Sequence, residues 1–147
     1  MTMERETILL AESNSQDAYL LEAAFQAAHI ENPVEVISTE RETMEYLLRN
    51  GGVGPRELPA LVILAMPLPF LNNFRLLRWI RAQPELHALQ VFVLAAVEIR
   101  DEDIKAHELG SDRYGVKPRD FSGLVELVQR LEKRFLKHGD SRVRHHA

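Results

Sequence analysis

The chain contains no cysteine. That single absence excludes disulfide staples, thiolate zinc sites, iron–sulfur clusters and cysteine nucleophiles, and it makes a reducing cytoplasm the expected compartment. Long apolar runs are missing too. The longest, Leu61 to Met66 and Val91 to Val97, fall far short of the roughly 18 residues that read as a membrane span, so no membrane is expected as a partner. The opening MTMERET has charges of both signs and no apolar core like that of a signal peptide, so the mature chain is expected to start near Met1. There is no internal repeat and no low-complexity tract. The glycine-rich stretch Gly51 to Pro59 lacks the lysine-threonine pair of a phosphate-binding P-loop and is expected to be a plain connecting loop.

What is present suits one globular domain. The chain has 147 residues, 46% hydrophobic and 27% charged, and a chain of this length buries about 70% of its unfolded surface. The net charge of -4 is unevenly placed. From Lys133 onward Lys133, Arg134, Lys137, Arg142 and Arg144 face Asp140 alone, so the end of the chain carries +4 and the rest -8. We therefore divide the chain into a domain over residues 1–136 and a basic tail over 137–147. The tail has no aromatic residue after Phe135 to stack on a base, and nucleic acid is not an expected partner. His138, His145 and His146 lie in the same tail with no nearby carboxylates to complete a metal site.

The body alternates two kinds of segment. Ile8 to Ala11, Val34 to Ile37, Leu61 to Met66, Val91 to Ala96 and Arg113 to Val116 are short and mostly apolar, as strands buried on both faces should be. Between them run helical periods. Leu21, Ala24, Phe25 and Ala28 fall at i, i+3, i+4 and i+7; Leu124, Leu127, Val128, Leu131 and Phe135 extend such a stripe over three turns. Shorter stripes occur at Met44, Leu47 and Leu48 and at Leu76, Trp79 and Ile80, and the weakest lies around Ile104. Gly110 and Pro84 read as stops, and Asp120 or Ser122 as a cap for the last helix. Strands that each precede a helix make a doubly wound α/β domain, a five-stranded parallel sheet with right-handed crossovers and helices on both faces. Such folds bind ligands just beyond the carboxyl ends of the strands.

The residues at those ends carry a resemblance. ILLAESN (Ile8 to Asn14), LVILAMPLP (Leu61 to Pro69), VFVLAAV (Val91 to Val97) and ELGSDRYGVKP (Glu108 to Pro118) together resemble the receiver domain of bacterial response regulators, over nearly all of Ile8 to Leu136. The chain looks most like the stand-alone receivers that pair with phytochrome-type histidine kinases. The most specific piece is the pattern Gly110, Tyr114, Lys117, Pro118. The resemblance implies a flavodoxin-like sheet of order 2-1-3-4-5. It also implies two acids after the first strand that hold magnesium, a phosphoacceptor aspartate after the third, a Ser or Thr after the fourth, and a lysine after the fifth.

Carried over residue by residue, most of that set is missing. Glu12 keeps the first acid, and Ser13 stands in place of the second. Ala65 occupies the phosphoacceptor position and Ala95 the hydroxyl position; Lys117 and the switch aromatic Tyr114 match. A methyl group has no lone pair with which to attack phosphorus, so Ala65 cannot accept a phosphoryl group. One carboxylate then faces one ammonium, and Glu12 and Lys117 are expected to form a direct ion pair in a cleft near neutrality. No cofactor is expected, magnesium included, because one glutamate engaged by lysine makes a poor octahedral site. Ser13 has no histidine to activate it and reads as a helix-cap residue. Glu98, Asp101, Glu102 and Asp103 offer alternative acids, though acids before a helix more often complement its dipole.

Three functions are compatible with these residues. The leading one is a receiver of two-component signalling that works without phosphorylation, as a protein-interaction module. Its surface would include Ile104, Lys105, His107, Glu108, Arg113, Tyr114 and Arg119, and its partner would be a histidine kinase, another regulator or a second copy in a homodimer. The second is a switch triggered by a ligand or partner entering a strand-end pocket lined by Ala65, Ala95 and Ala96. The third is a small enzyme on the same scaffold, for which only Glu12, Ser13 and Lys117 offer chemistry. An enzyme is not expected.

Overall fold

The computed structural model describes residues 6–53, 58–65, 70–86, 88–96, 98, 100 and 113–136. The short apolar segments become strands β1 (Ile8–Ala11), β2 (Val34–Ile37), β3 (Leu61–Leu64), β4 (Val91–Ala95) and β5 (Tyr114–Val116). They pair in parallel in the order β2-β1-β3-β4-β5. Strands β3 and β4 stop short of the expected Met66 and Ala96, and β5 starts one residue after Arg113. The helices are α1 (Ser15–Ala27), α2 (Glu40–Val53), α3 (Phe70–Ala82) and α4 (Phe121–Leu131), the last continuing through a π-helical turn at Glu132–Leu136. The helix expected around Ile104, the Gly110 stop and the tail from 137 onward lie outside the described residues.

Alternation along the central strands divides the core into two layers, because successive side chains point to opposite faces. On one face Ile8, Leu10, Ile63 and Leu94 meet Leu21, Ala24 and Phe25 of α1 and Leu124, Leu127, Val128 and Leu131 of α4. On the other, Leu9, Val62, Leu64 and Val93 meet Leu47 of α2 and Leu76, Leu77 and Ile80 of α3. The expected stripes of α1 and α4 thus lie against the sheet. In α2 the stripe is narrower than its sequence suggests. Leu47 is buried while Leu48, one step round the helix, stays exposed. The loop expected from Gly51 is also corrected, since α2 runs on to Val53. A glycine costs a helix only about 1 kcal/mol, and extending an existing helix avoids the cost of nucleation.

Local chemistry sets the helix starts. Asn14 caps α1, its side chain accepting from the Asp17 amide at 2.9 Å. Asp120 caps α4 by accepting from the Gly123 amide at 2.9 Å. Thr39 Oγ1 accepts from the Glu42 amide at 3.0 Å at the start of α2. Each cap satisfies an amide that the first turn leaves without a helical partner.

Candidate functional site

Parallel pairing in register brings the strand ends together. Ile8, Leu9, Leu10 and Ala11 pair with Val34 to Ile37 on one side and with Leu61 to Leu64 on the other. Backbone hydrogen bonds then carry each ladder one residue past its strand: Glu12 N–H to Ile37 at 3.0 Å, Ala65 N–H to Ala11 at 2.8 Å, and Lys117 N–H to Ala95 at 2.7 Å. Glu12, Ala65, Ala95 and Lys117 therefore stand at one end of the sheet.

The expected ion pair is there. Lys117 Nζ donates to Glu12 Oε1 at 2.8 Å, with the Glu12 side chain fully buried and that of Lys117 14% exposed. The other carboxylate oxygen, Glu12 Oε2, accepts from the Asn14 amide at 3.0 Å. A third member was not anticipated. Asp17 Oδ2 accepts from the same ammonium at 3.0 Å, so the cluster holds two carboxylates and one cation rather than one of each. Asp17 sits three residues after the Asn14 cap. That spacing, an acid at the third helical position after a capping residue, is the signal that could have found it. The acid also lies in the first turn, where the helix dipole favours negative charge.

Burial raises the Glu12 pKa above the ordinary glutamate value, and Asp17 adds to this by repulsion. The hydrogen bonds from Lys117 and Asn14 and the charge of Lys117 oppose that rise without cancelling it.

The remaining positions are divided between the core and the surface. Ala65 and Ala95 are both at 0% exposure. Ala65 packs in the layer under α1 and α4, Ala95 in the layer under α2 and α3, while Ala96 is exposed. Two of the three alanines expected to line a strand-end pocket are thus buried in core packing on opposite faces of the sheet. Ser13 is exposed and does not cap α1; its neighbour Asn14 does. Tyr114 is partly buried against the second layer. Arg113 is half-buried and Arg119 exposed, whereas Ile104, Lys105, His107, Glu108, Asp101, Glu102 and Asp103 lie outside the described residues.

The donor set can be tested against a divalent ion. Magnesium requires near-octahedral oxygen ligation at ~2.1 Å. Here both oxygens of Glu12 and one of Asp17 already accept hydrogen bonds, and an ammonium occupies the space between the carboxylates. These residues do not fit a hexacoordinate cation. Among the described residues no group of three or more His, Cys, Asp or Glu side chains converges on a metal position. No helix of the described residues is long and apolar enough to cross a membrane.

Fold and strand-end geometry together define a class: a doubly wound domain in which an acid following β1 and a lysine following β5 meet at one point, as the resemblance to receivers implies. No family model matches the chain. Among curated proteins, it is 29% identical over 129 residues to the probable methanogenesis regulatory protein FilR2 of Methanothrix harundinacea, covering 88% of this chain and 83% of that one. It is 26% identical over 131 residues to the response regulator Rcp1 of Synechocystis, covering 89% of each. Among solved structures, the phosphorylated cyanobacterial phytochrome response regulator RcpA superposes with a TM-score of 0.73 at 26% identity, covering 91% of this chain and 96% of that one. The response regulators among these relatives and structural neighbours share with this chain the five-stranded parallel architecture, order β2-β1-β3-β4-β5, of a receiver domain.

Proposed function

We propose that the chain is a receiver domain of two-component signalling that has left phosphoryl transfer and acts by standing protein–protein interaction. The observation that carries the reading is the pairing of a buried methyl group at Ala65 with a lysine already held by two carboxylates. In a phosphoryl-accepting centre an oxygen nucleophile attacks phosphorus while cations neutralise the developing charge. Ala65 supplies no nucleophile. Lys117, the cation at hand, would have to leave Glu12 and Asp17 to reach an incoming phosphoryl oxygen. Hydrogen-bonded in this way, the cluster acts as an internal substitute for a metal-centred network and holds the β1 and β5 ends in one arrangement.

With no covalent input, the binding surface is permanently presented. Its partner is a two-component histidine kinase, another regulator or a second copy of the chain, met in the cytoplasm and without nucleic acid. No cofactor and no catalytic turnover are part of this reading. The test is incubation with acetyl phosphate and magnesium, followed by intact mass, with beryllofluoride added in parallel while the half-buried Trp79 reports by fluorescence. The expected result is no mass change and no fluorescence response. An acid-labile adduct with the mass of one phosphoryl group would overturn the proposal.

A further inference from the structure

Beside the strand ends, a cleft of about 140 Å³ lies between α1 and the segment that leads from β5 into α4. Its shape depends on Gly123. A Cβ there would stand 2.7 Å from Pro118 Cβ, so the glycine lets Pro118 fold down onto the first turn of α4, and the cleft is the space left between that segment and α1. The floor is apolar, made by Leu21 and Leu124 from the core layer shared by α1 and α4. Leu20 and Phe121 border it, and each remains 42% exposed. The volume falls below the ~300 Å³ at which sites for drug-sized ligands begin, so the cleft suits a small metabolite.

Charges of both signs complete the lining. Asp17, Lys117, Arg119 and Asp120 contribute two negative and two positive groups, which cancel. Lys117 is spent on Glu12 and Asp17. What is left unmatched still has both signs. Asp17 uses Oδ2 for Lys117, and Asp120 uses Oδ1 for the Gly123 amide, so Oδ1 of the first and Oδ2 of the second have no hydrogen-bond partner among the described residues. The Arg119 guanidinium is exposed and has no carboxylate partner among them either. A simple anion would meet the carboxylates, and a simple cation would meet Arg119. A zwitterion answers both: its ammonium suits the carboxylate oxygens, its carboxylate suits the guanidinium fork, and an apolar side chain covers Leu20 and Phe121.

We infer that the cleft between α1 and the β5–α4 segment binds a free α-amino acid with a short branched apolar side chain, of the leucine type. The inference goes beyond the functional reading and does not depend on it, since neither Ala65 nor Glu12 lines the cleft.

The test is titration of the isotope-labelled full chain, without phosphodonor, with L-leucine, glycine, isoamylamine and 4-methylpentanoate, the last two being leucine without its carboxylate and without its ammonium. Leucine should shift the resonances of Leu20, Leu21, Phe121 and Gly123 saturably. Glycine should bind at least about tenfold more weakly, because it lacks the group that an apolar floor reads. The amine and the acid should each weaken roughly tenfold, because each leaves one sign of charge in the cleft unanswered. Arg119 is exposed, so Arg119→Gln should keep the circular dichroism of the unaltered chain and should no longer distinguish leucine from isoamylamine. The inference fails if leucine leaves those resonances unmoved at tens of millimolar, if glycine binds as tightly, or if either singly charged analogue matches leucine in the unaltered chain. It also fails if Arg119→Gln keeps the full preference for leucine over the amine. A phosphoryl adduct found in a separate sample would sink the functional reading and leave this titration standing.

Discussion

Replacing Lys117 by methionine isolates the physics of the strand-end cluster. The substitution keeps the length and apolar stem of the side chain and deletes the ammonium that Glu12 meets at 2.8 Å. Glu12 is then fully buried with the Asn14 amide as its remaining donor and Asp17 nearby. Stranding one partner of a buried pair costs about 3 to 5 kcal/mol. With a urea dependence of about 2 kcal/mol/M, the unfolding midpoint should fall by about 2 M. The cost should also depend on pH. Burial already raises the Glu12 pKa, and Lys117→Met removes two influences that hold it down. Between the ordinary glutamate value and the raised one, the folded state binds more protons than the unfolded state, so stability is highest below that window and falls as pH rises through it. Lys117→Met should therefore be markedly less stable than the wild type at about pH 8 and much closer to it at about pH 5. Adding Glu12→Gln should recover much of the loss at the higher pH, because it removes the stranded charge. Urea unfolding of the three proteins at both pH values is the assay. A Lys117→Met cost below about 0.5 kcal/mol at pH 8, the size of an exposed pair, would refute the claim that the pair is buried and coupled.

Asp17→Asn should cost about 1 kcal/mol or less in the same unfolding assay, since its side chain is 39% exposed and Lys117 keeps Glu12; a loss as large as that of Lys117→Met would make Asp17 the principal partner. Gly123→Ala should cost about 1 to 3 kcal/mol by thermal unfolding. Its Cβ would lie 2.7 Å from Pro118 Cβ and 2.8 Å from Asp120 Oδ1, so an unchanged Tm would mean that the Lys117–Pro118 segment is not clamped against α4. Leu21→Ala, at 1% exposure in the layer beneath α1, should cost about 2 to 5 kcal/mol by urea unfolding; a loss below 1 kcal/mol would mean that the α1 face is loosely packed.

Much of the architecture was legible beforehand because it depends on short-range patterns. Apolar runs of four or five residues and the stripes of α1 and α4 report which face must leave water, and both packed as their periods indicate. Where the pattern was short, it misled. The stripe at Met44, Leu47 and Leu48 spans little more than one turn, too little to show that Leu48 turns outward. Capping was half legible, since Asp120 was one of two candidates with Ser122 and the choice of Asn14 over Ser13 depended on the local turn.

By itself the sequence determined the order of strands and helices and the atoms available at each strand end, including methyl groups at positions 65 and 95 and an ammonium at 117. Those are matters of composition and local period, which survive without knowing the fold. Tertiary structure decided that Lys117 is shared by Glu12 and Asp17, residues 105 and 100 positions away along the chain, and that Ala65 and Ala95 turn into opposite core layers. Such pairings rest on strand register, and a slip of one residue would exchange every side chain between the two faces. Only the folded sheet fixes which side chains meet.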